Sequence, residues 1–216
     1  TEEQITEAIK LQESGGDPYS IVQTRDTVGH GTAMASIIGG RGINPELKGA
    51  APDCEFVIVK LIPASKAEVD RALLEPNVQG YTPLSVLLGL RYVETVARSM
   101  NKPIVVYIPL GTNLGSHTGN GIVEGSIDNY VGRIGTVVVV PTGNQGNTET
   151  HTEGVIERAG DYKDIEIRVG KNQKRLPMEI WINKPNRVTL SITSPSGEVI
   201  SGLTSKNTNQ ERIKFT

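Results

Sequence analysis

Between residues 82 and 140, short and almost wholly apolar runs alternate with segments of helical period, and no other feature constrains the fold as tightly. With Thr82 as N-cap and Pro83 as first helical residue, Leu84, Leu87, Leu88, Val93, Val96 and Ala97 hold a helical period as far as Met100. Ile104 to Ile108 then reads as a strand, Val123 to Ile134 as a helix, and Val137 to Val140 as a second strand. Strands with no polar alternation belong in a parallel sheet covered on both faces, which makes this part of the chain α/β.

The flanks extend the pattern and then break it. Thr1 with Gln4 forms a capping-box signature ahead of Ile5, Ala8 and Ile9, and the Ser14-Gly15-Gly16-Asp17-Pro18 stretch ends that helix. Residues His30 to Ile38 read as a buried helix stopped by Gly39-Gly40, and Phe56 to Ile62 as a strand before Pro63. Beyond residue 150 helical periodicity is gone. Ile165 to Val169, Met178 to Ile182, Val188 to Ile192 and Ile213 to Phe215 read as short strands separated by turns such as Ser194-Pro195-Ser196-Gly197. The chain therefore divides into an α/β domain over residues 1–150 and the start of an antiparallel β domain over 151–216.

Composition narrows the function classes. The 22 Lys plus Arg nearly balance the 24 Asp plus Glu, without a single-sign run, so no nucleic-acid or membrane partner is expected. The single cysteine, Cys54, excludes an internal disulfide and opens an apolar run as a small packed residue. No metal or other cofactor is expected: no Cys/His or carboxylate cluster has ligand spacing, and the scattered Asp17, Asp53 and Asp128 do not make a calcium site.

In open parallel sheets, chemistry gathers on the loops that leave the carboxyl ends of the strands. Two loops stand out: Gly29-His30-Gly31-Thr32, opening a helix, and Pro141-Thr142-Gly143-Asn144-Gln145-Gly146, following a strand. A histidine at a helix N-terminus has its protonated form disfavoured by the helix dipole and so suits a general base, while Thr32 can satisfy backbone donors of the first turn. The amide of Asn144 suits a donor to charge forming on a carbonyl oxygen. Alone, such a histidine is more often a cap or a packed residue, and such an asparagine an ordinary loop residue.

Together and in this order they resemble the subtilisin family of serine proteases. Lys48-Gly49-Ala50-Ala51-Pro52 before Val57-Ile58-Val59-Lys60-Leu61, the long helix, and Pro109-Leu110-Gly111 after the next strand fill the interval. Thr1-Glu2-Glu3-Gln4-Ile5-Thr6-Glu7-Ala8-Ile9, Arg25-Asp26, Gly111-Thr112-Asn113 and Gly115-Ser116-His117 narrow the resemblance to clostridial subtilases related to spore germination proteases.

The resemblance implies a serine endopeptidase in which His30 and Asn144 are catalytic and Pro109, Leu110, Gly111 and Gly143 bind a protein or peptide substrate. Val78-Gln79-Gly80 falls near a second substrate-pairing segment. Proline stands at 109 where the family usually has serine. It also implies that residues 151–216 begin an inserted jelly-roll domain, and a secreted or spore-associated setting, although the residues themselves leave the compartment open. Asp26-Thr27-Val28-Gly29 imitates the family's Asp-Thr-Gly signature but lies four positions before His30, too near to be the acidic member, so Asp26 reads as a loop residue. No Gly-Thr-Ser nucleophile motif occurs. The expectation is an incomplete fragment, inactive alone, whose partners include the missing parts of its parent. Two rivals stay open: a pseudoprotease scaffold, and a binding module built on the β-rich tail with Tyr162 and Trp181.

Overall fold

The computed structural model describes residues 1–72, 74–75, 78–173 and 176–204. They fall into two compact units, Thr1–Val59 and Lys60–Thr216.

In the first unit α1 (Glu2–Glu13) starts as its sequence dictates: Thr1 Oγ1 accepts from the Gln4 N–H at 3.3 Å, and the Gln4 side chain reaches back to the amino terminus at 2.8 Å. A loop closed by the Arg25 guanidinium, 3.8 Å from the Tyr19 ring centroid, leads toward α2 (His30–Gly39). The segment after α2 folds back on it through Ala50 N–H to the Ile37 carbonyl at 3.1 Å and Ala51 N–H to that of Ile38 at 2.7 Å. Gly39 permits the approach, because a Cβ there would fall 2.5 Å from Phe56 Cζ.

Two expectations fail in this region. α2 is a helix but none of its residues is buried, and Ile37 is 65% exposed. Phe56 to Ile62 forms no strand. The two failures share a cause: β-branched residues stabilise a strand through neighbours on a pleated surface, and among the described residues no ladder forms beside this run to cover α2.

The second unit holds the sheet. After α3 (Lys66–Arg71) comes α4 (Pro83–Met100), capped as expected by Thr82 Oγ1, which accepts from the Ser85 N–H at 3.2 Å. It is followed by β1 (Ile104–Tyr107), α5 (Ile122–Val131) and β2 (Thr136–Val139). β1 and β2 pair in parallel with Ile104 opposite Thr136 and Tyr107 opposite Val139. α4 lies against α5 and α5 against β2, with Leu90, Val93, Val106 and Tyr130 buried. Glu94 joins α4 to the turn after α5 by accepting from Arg98 on its own helix at 2.7 Å and from Arg133.

The expected cover on both sheet faces is corrected. Val106 is buried and Val138 half-buried, whereas Val105, at 68% exposure, Val137 and Val139 face outward. Within this unit, α5 lies against β2 and α4 against α5.

The β-rich tail contributes one antiparallel hairpin, β3 (Thr189–Thr193) with β4 (Val199–Thr204), turned at Ser194 to Glu198 as the Ser-Pro-Ser-Gly signature predicts. Ile165 to Val169 and Met178 to Ile182 are not strands, having no ladder partner among the described residues, and the strand expected at Ile213 to Phe215 lies outside them. A jelly roll needs eight strands in two sheets, so none is formed among the described residues.

The Thr82 cap gives a direct test of the helix that carries this unit's core. Thr82→Ala should lower unfolding stability by about 1 kcal/mol in urea titration, and Thr82→Ser should leave it nearly unchanged.

Candidate functional site

His30 is the first residue of α2 and is exposed. The turn before it is built by Asp26. Its Oδ1 accepts from the N–H groups of Val28 at 3.1 Å and Gly29 at 2.7 Å, and its Oδ2 accepts from the Thr32 N–H at 2.9 Å and the Thr32 hydroxyl at 2.7 Å. Gly29 sits at φ 84°, a left-handed conformation that favours glycine, and as N-cap it offers no side-chain acceptor. Asp26 supplies one from three residues earlier.

Thr32 is expected to satisfy donors of the first turn, but in the structure its hydroxyl donates to Asp26, and the carboxylate is the acceptor there. The Thr32 hydroxyl, then the N–H groups of Thr32 and Gly29, hold the Asp26 carboxyl far below the usual carboxylate range. An Asp three residues before a helix-opening glycine, with threonine three beyond that glycine, was the signal available.

In the second unit the parallel pairing of β1 and β2 sends two loops out from one edge of the sheet. The ladder continues past β1 with Ile108 N–H donating to the Val139 carbonyl at 3.0 Å. Pro109 and Leu110 follow, half-buried, then the exposed Gly111. Leu110 N–H turns back to the Ile108 carbonyl at 2.8 Å across Pro109, whose fixed φ suits so tight a turn. From β2 the chain passes through Gly143, at φ 89°, to Asn144, whose N–H donates to Gln145 Oε1 at 3.0 Å. The Asn144 carboxamide is exposed and has no hydrogen-bond partner among the described residues.

Two contacts tie these loops further along, and a third ties the first loop to the segment at Glu179. Asn113 Nδ2 donates to Thr150 Oγ1 at 3.5 Å, and the rings of His117 and His151 lie 5.2 Å apart. Glu179 Oε2 accepts from both the Gly115 N–H at 2.8 Å and the Trp181 indole N–H at 2.9 Å. His117 and His151 are exposed, as their Gly/Ser/Thr-rich surroundings predict, and their ring contact is new. Among the described residues no group of three or more His, Cys, Asp or Glu is arranged to hold a metal ion.

The fold resembles that of a clostridial protease. Against the solved structure of the CspB protease of Clostridium perfringens the TM-score is 0.55 with 33% identity, over 68% of this chain and 28% of that one. The chain thus spans little more than a quarter of that protease's length. No protein-family model matches the chain, and no curated protein does. The mixed α/β arrangement with its small parallel and antiparallel sheets is consistent with a partial subtilisin-like fold.

The Glu179 clamp yields a pH dependence of known sign. The Gly115 N–H, the Trp181 indole and the charge of His117 lower the Glu179 carboxyl below its ordinary range. A depressed folded value means the clamp's contribution is complete above the unfolded glutamate pKa of about 4.3 and is lost as pH falls through the lower folded value. Trp181 is the single tryptophan, so its emission reports the clamp. An acid titration should show a transition centred below pH about 4.3 that Glu179→Gln abolishes.

Proposed function

We propose that this chain is the central part of a serine endopeptidase that hydrolyses peptide bonds by acyl transfer. The observation that carries the reading is the 33% identical match to a solved protease over 68% of the chain. The helix-opening Gly-His-Gly-Thr and post-strand Gly-Asn-x-Gly motifs support it, in the order that the resemblance requires.

In this reading a serine supplied from outside the chain attacks the scissile carbonyl while His30 Nε2 takes its proton, and the same nitrogen later protonates the leaving amine. The carboxamide of Asn144 donates to the oxyanion. Pro109, Leu110, Gly111 and Gly143 form the wall against which an extended peptide lies, its main chain giving affinity and its side chains selectivity. The Leu110 N–H is already bonded to Ile108, so the Leu110 carbonyl and the Gly111 N–H are the groups the loop would offer to a substrate strand. Residues 151–216 begin an inserted β domain, and the acidic and nucleophilic members of the triad are supplied by the rest of the parent protein.

A pseudoprotease that retains the fold as a binding scaffold is favoured by one observation, Pro109 with its inward-turned neighbour. The two readings separate experimentally. The protease reading expects no casein hydrolysis by this 216-residue chain and serine-inhibitor-sensitive hydrolysis by the full-length parent. There Asn144→Ala should lower kcat on the order of 10²- to 10³-fold with little change in KM, a range for one oxyanion donor that derives from subtilisin itself. Robust cleavage by the isolated chain, or an inert parent, would falsify the proposal.

A further inference from the structure

The turn around His30 is held by one side chain from both sides. Asp26 Oδ1 takes the N–H groups of residues 28 and 29, and Oδ2 takes both donors of residue 32, so the carboxylate spans the backbone from Val28 to Thr32 with His30 in the interval. A carboxylate has about four acceptor directions, and four donors meet it here. Gly29 adds a left-handed φ of 84° that few other residues adopt, and a Cβ at Gly31 would stand 3.6 Å from Asp26 Oδ2, in ordinary contact. The entry to α2 is therefore fixed by a staple reaching over the histidine, while the negative charge lies at the positive end of the helix dipole.

We infer that Asp26 is a positioning residue for the reaction of His30: it sets the backbone from which the imidazole projects and takes no proton itself. This rests on the protease reading for its catalytic consequence, but its geometric content stands on the turn alone. The structure distinguishes the roles of the two oxygens. Asparagine at 26 can keep the Oδ1 bonds to Val28 and Gly29 but presents an NH₂ group to the two Thr32 donors. Alanine removes all four. Thr32→Val deletes only the hydroxyl bond.

Two sets of measurements test this. In the full-length parent, Asp26→Ala should lower kcat on the order of 10- to 100-fold, the scale of a small misplacement of a reacting group, with KM within about twofold. Asp26→Asn and Thr32→Val should fall between Asp26→Ala and the native protein. In the 216-residue chain, Asp26→Ala should speed amide exchange at Gly29 and Thr32 about tenfold, the loss of one hydrogen bond's net stabilisation, while the α1 amides stay unchanged. The same substitution should change the diethyl pyrocarbonate reaction rate of His30 and leave those of His117 and His151 unaltered.

Unchanged exchange and unchanged His30 reactivity overturn the inference, as does a loss that appears in KM and kcat alike. A native parent without serine-type hydrolysis ends the protease reading instead. The exchange and modification rates then still decide whether Asp26 sets the histidine's place.

Discussion

The parallel pairing of β1 with β2 is the constraint from which the second unit follows. Parallel neighbours cannot be joined by a tight turn, so the chain must cross back over the sheet between them, and α5 is part of that crossover. The same pairing places the exits of both strands side by side. Pro109-Leu110-Gly111 and Gly143-Asn144 therefore leave from one edge although more than thirty positions separate them. The ring contact of His117 with His151 then joins the outgoing loops where the ladder has ended, and Glu179 holds the first of them at Gly115.

The two histidine-bearing regions are stabilised in different ways. Around His30 the bonds are local and the partners are three backbone N–H groups and the Thr32 hydroxyl, so the arrangement is written within seven residues. Around Glu179 a single carboxylate oxygen accepts from the indole two positions on and from a loop amide 64 positions back in the sequence. Both carboxylates are exposed and lowered in pKa by donors more than by charge, so screening by salt affects them less than it would an ion pair.

What could be read from the residues follows the range of the forces. The capping box at Thr1, the Thr82-Pro83 start of α4 and the turn at Ser194 to Gly197 are each decided by neighbours within four positions, and each forms as expected. β1 and β2 were legible because their apolar runs are flanked by helices that return the chain to the sheet. Phe56 to Ile62, Ile165 to Val169 and Met178 to Ile182 carry equal strand character, but a strand is a property of pairs, and no partner meets them among the described residues. At the candidate site the helix opening at His30 and the turn at Asn144 were visible. The capping role of Asp26 was hidden by its likeness to a different signature, and no periodicity marks Glu179.

The exposed valines of the small parallel sheet have a consequence for the behaviour of the chain in water. Val105, Val137 and Val139 form an exposed apolar strip on one face of the paired strands. Burying such side chains against another apolar surface is favourable. Salts that strengthen apolar cohesion will drive copies of this chain together, and mild denaturant will hold them apart.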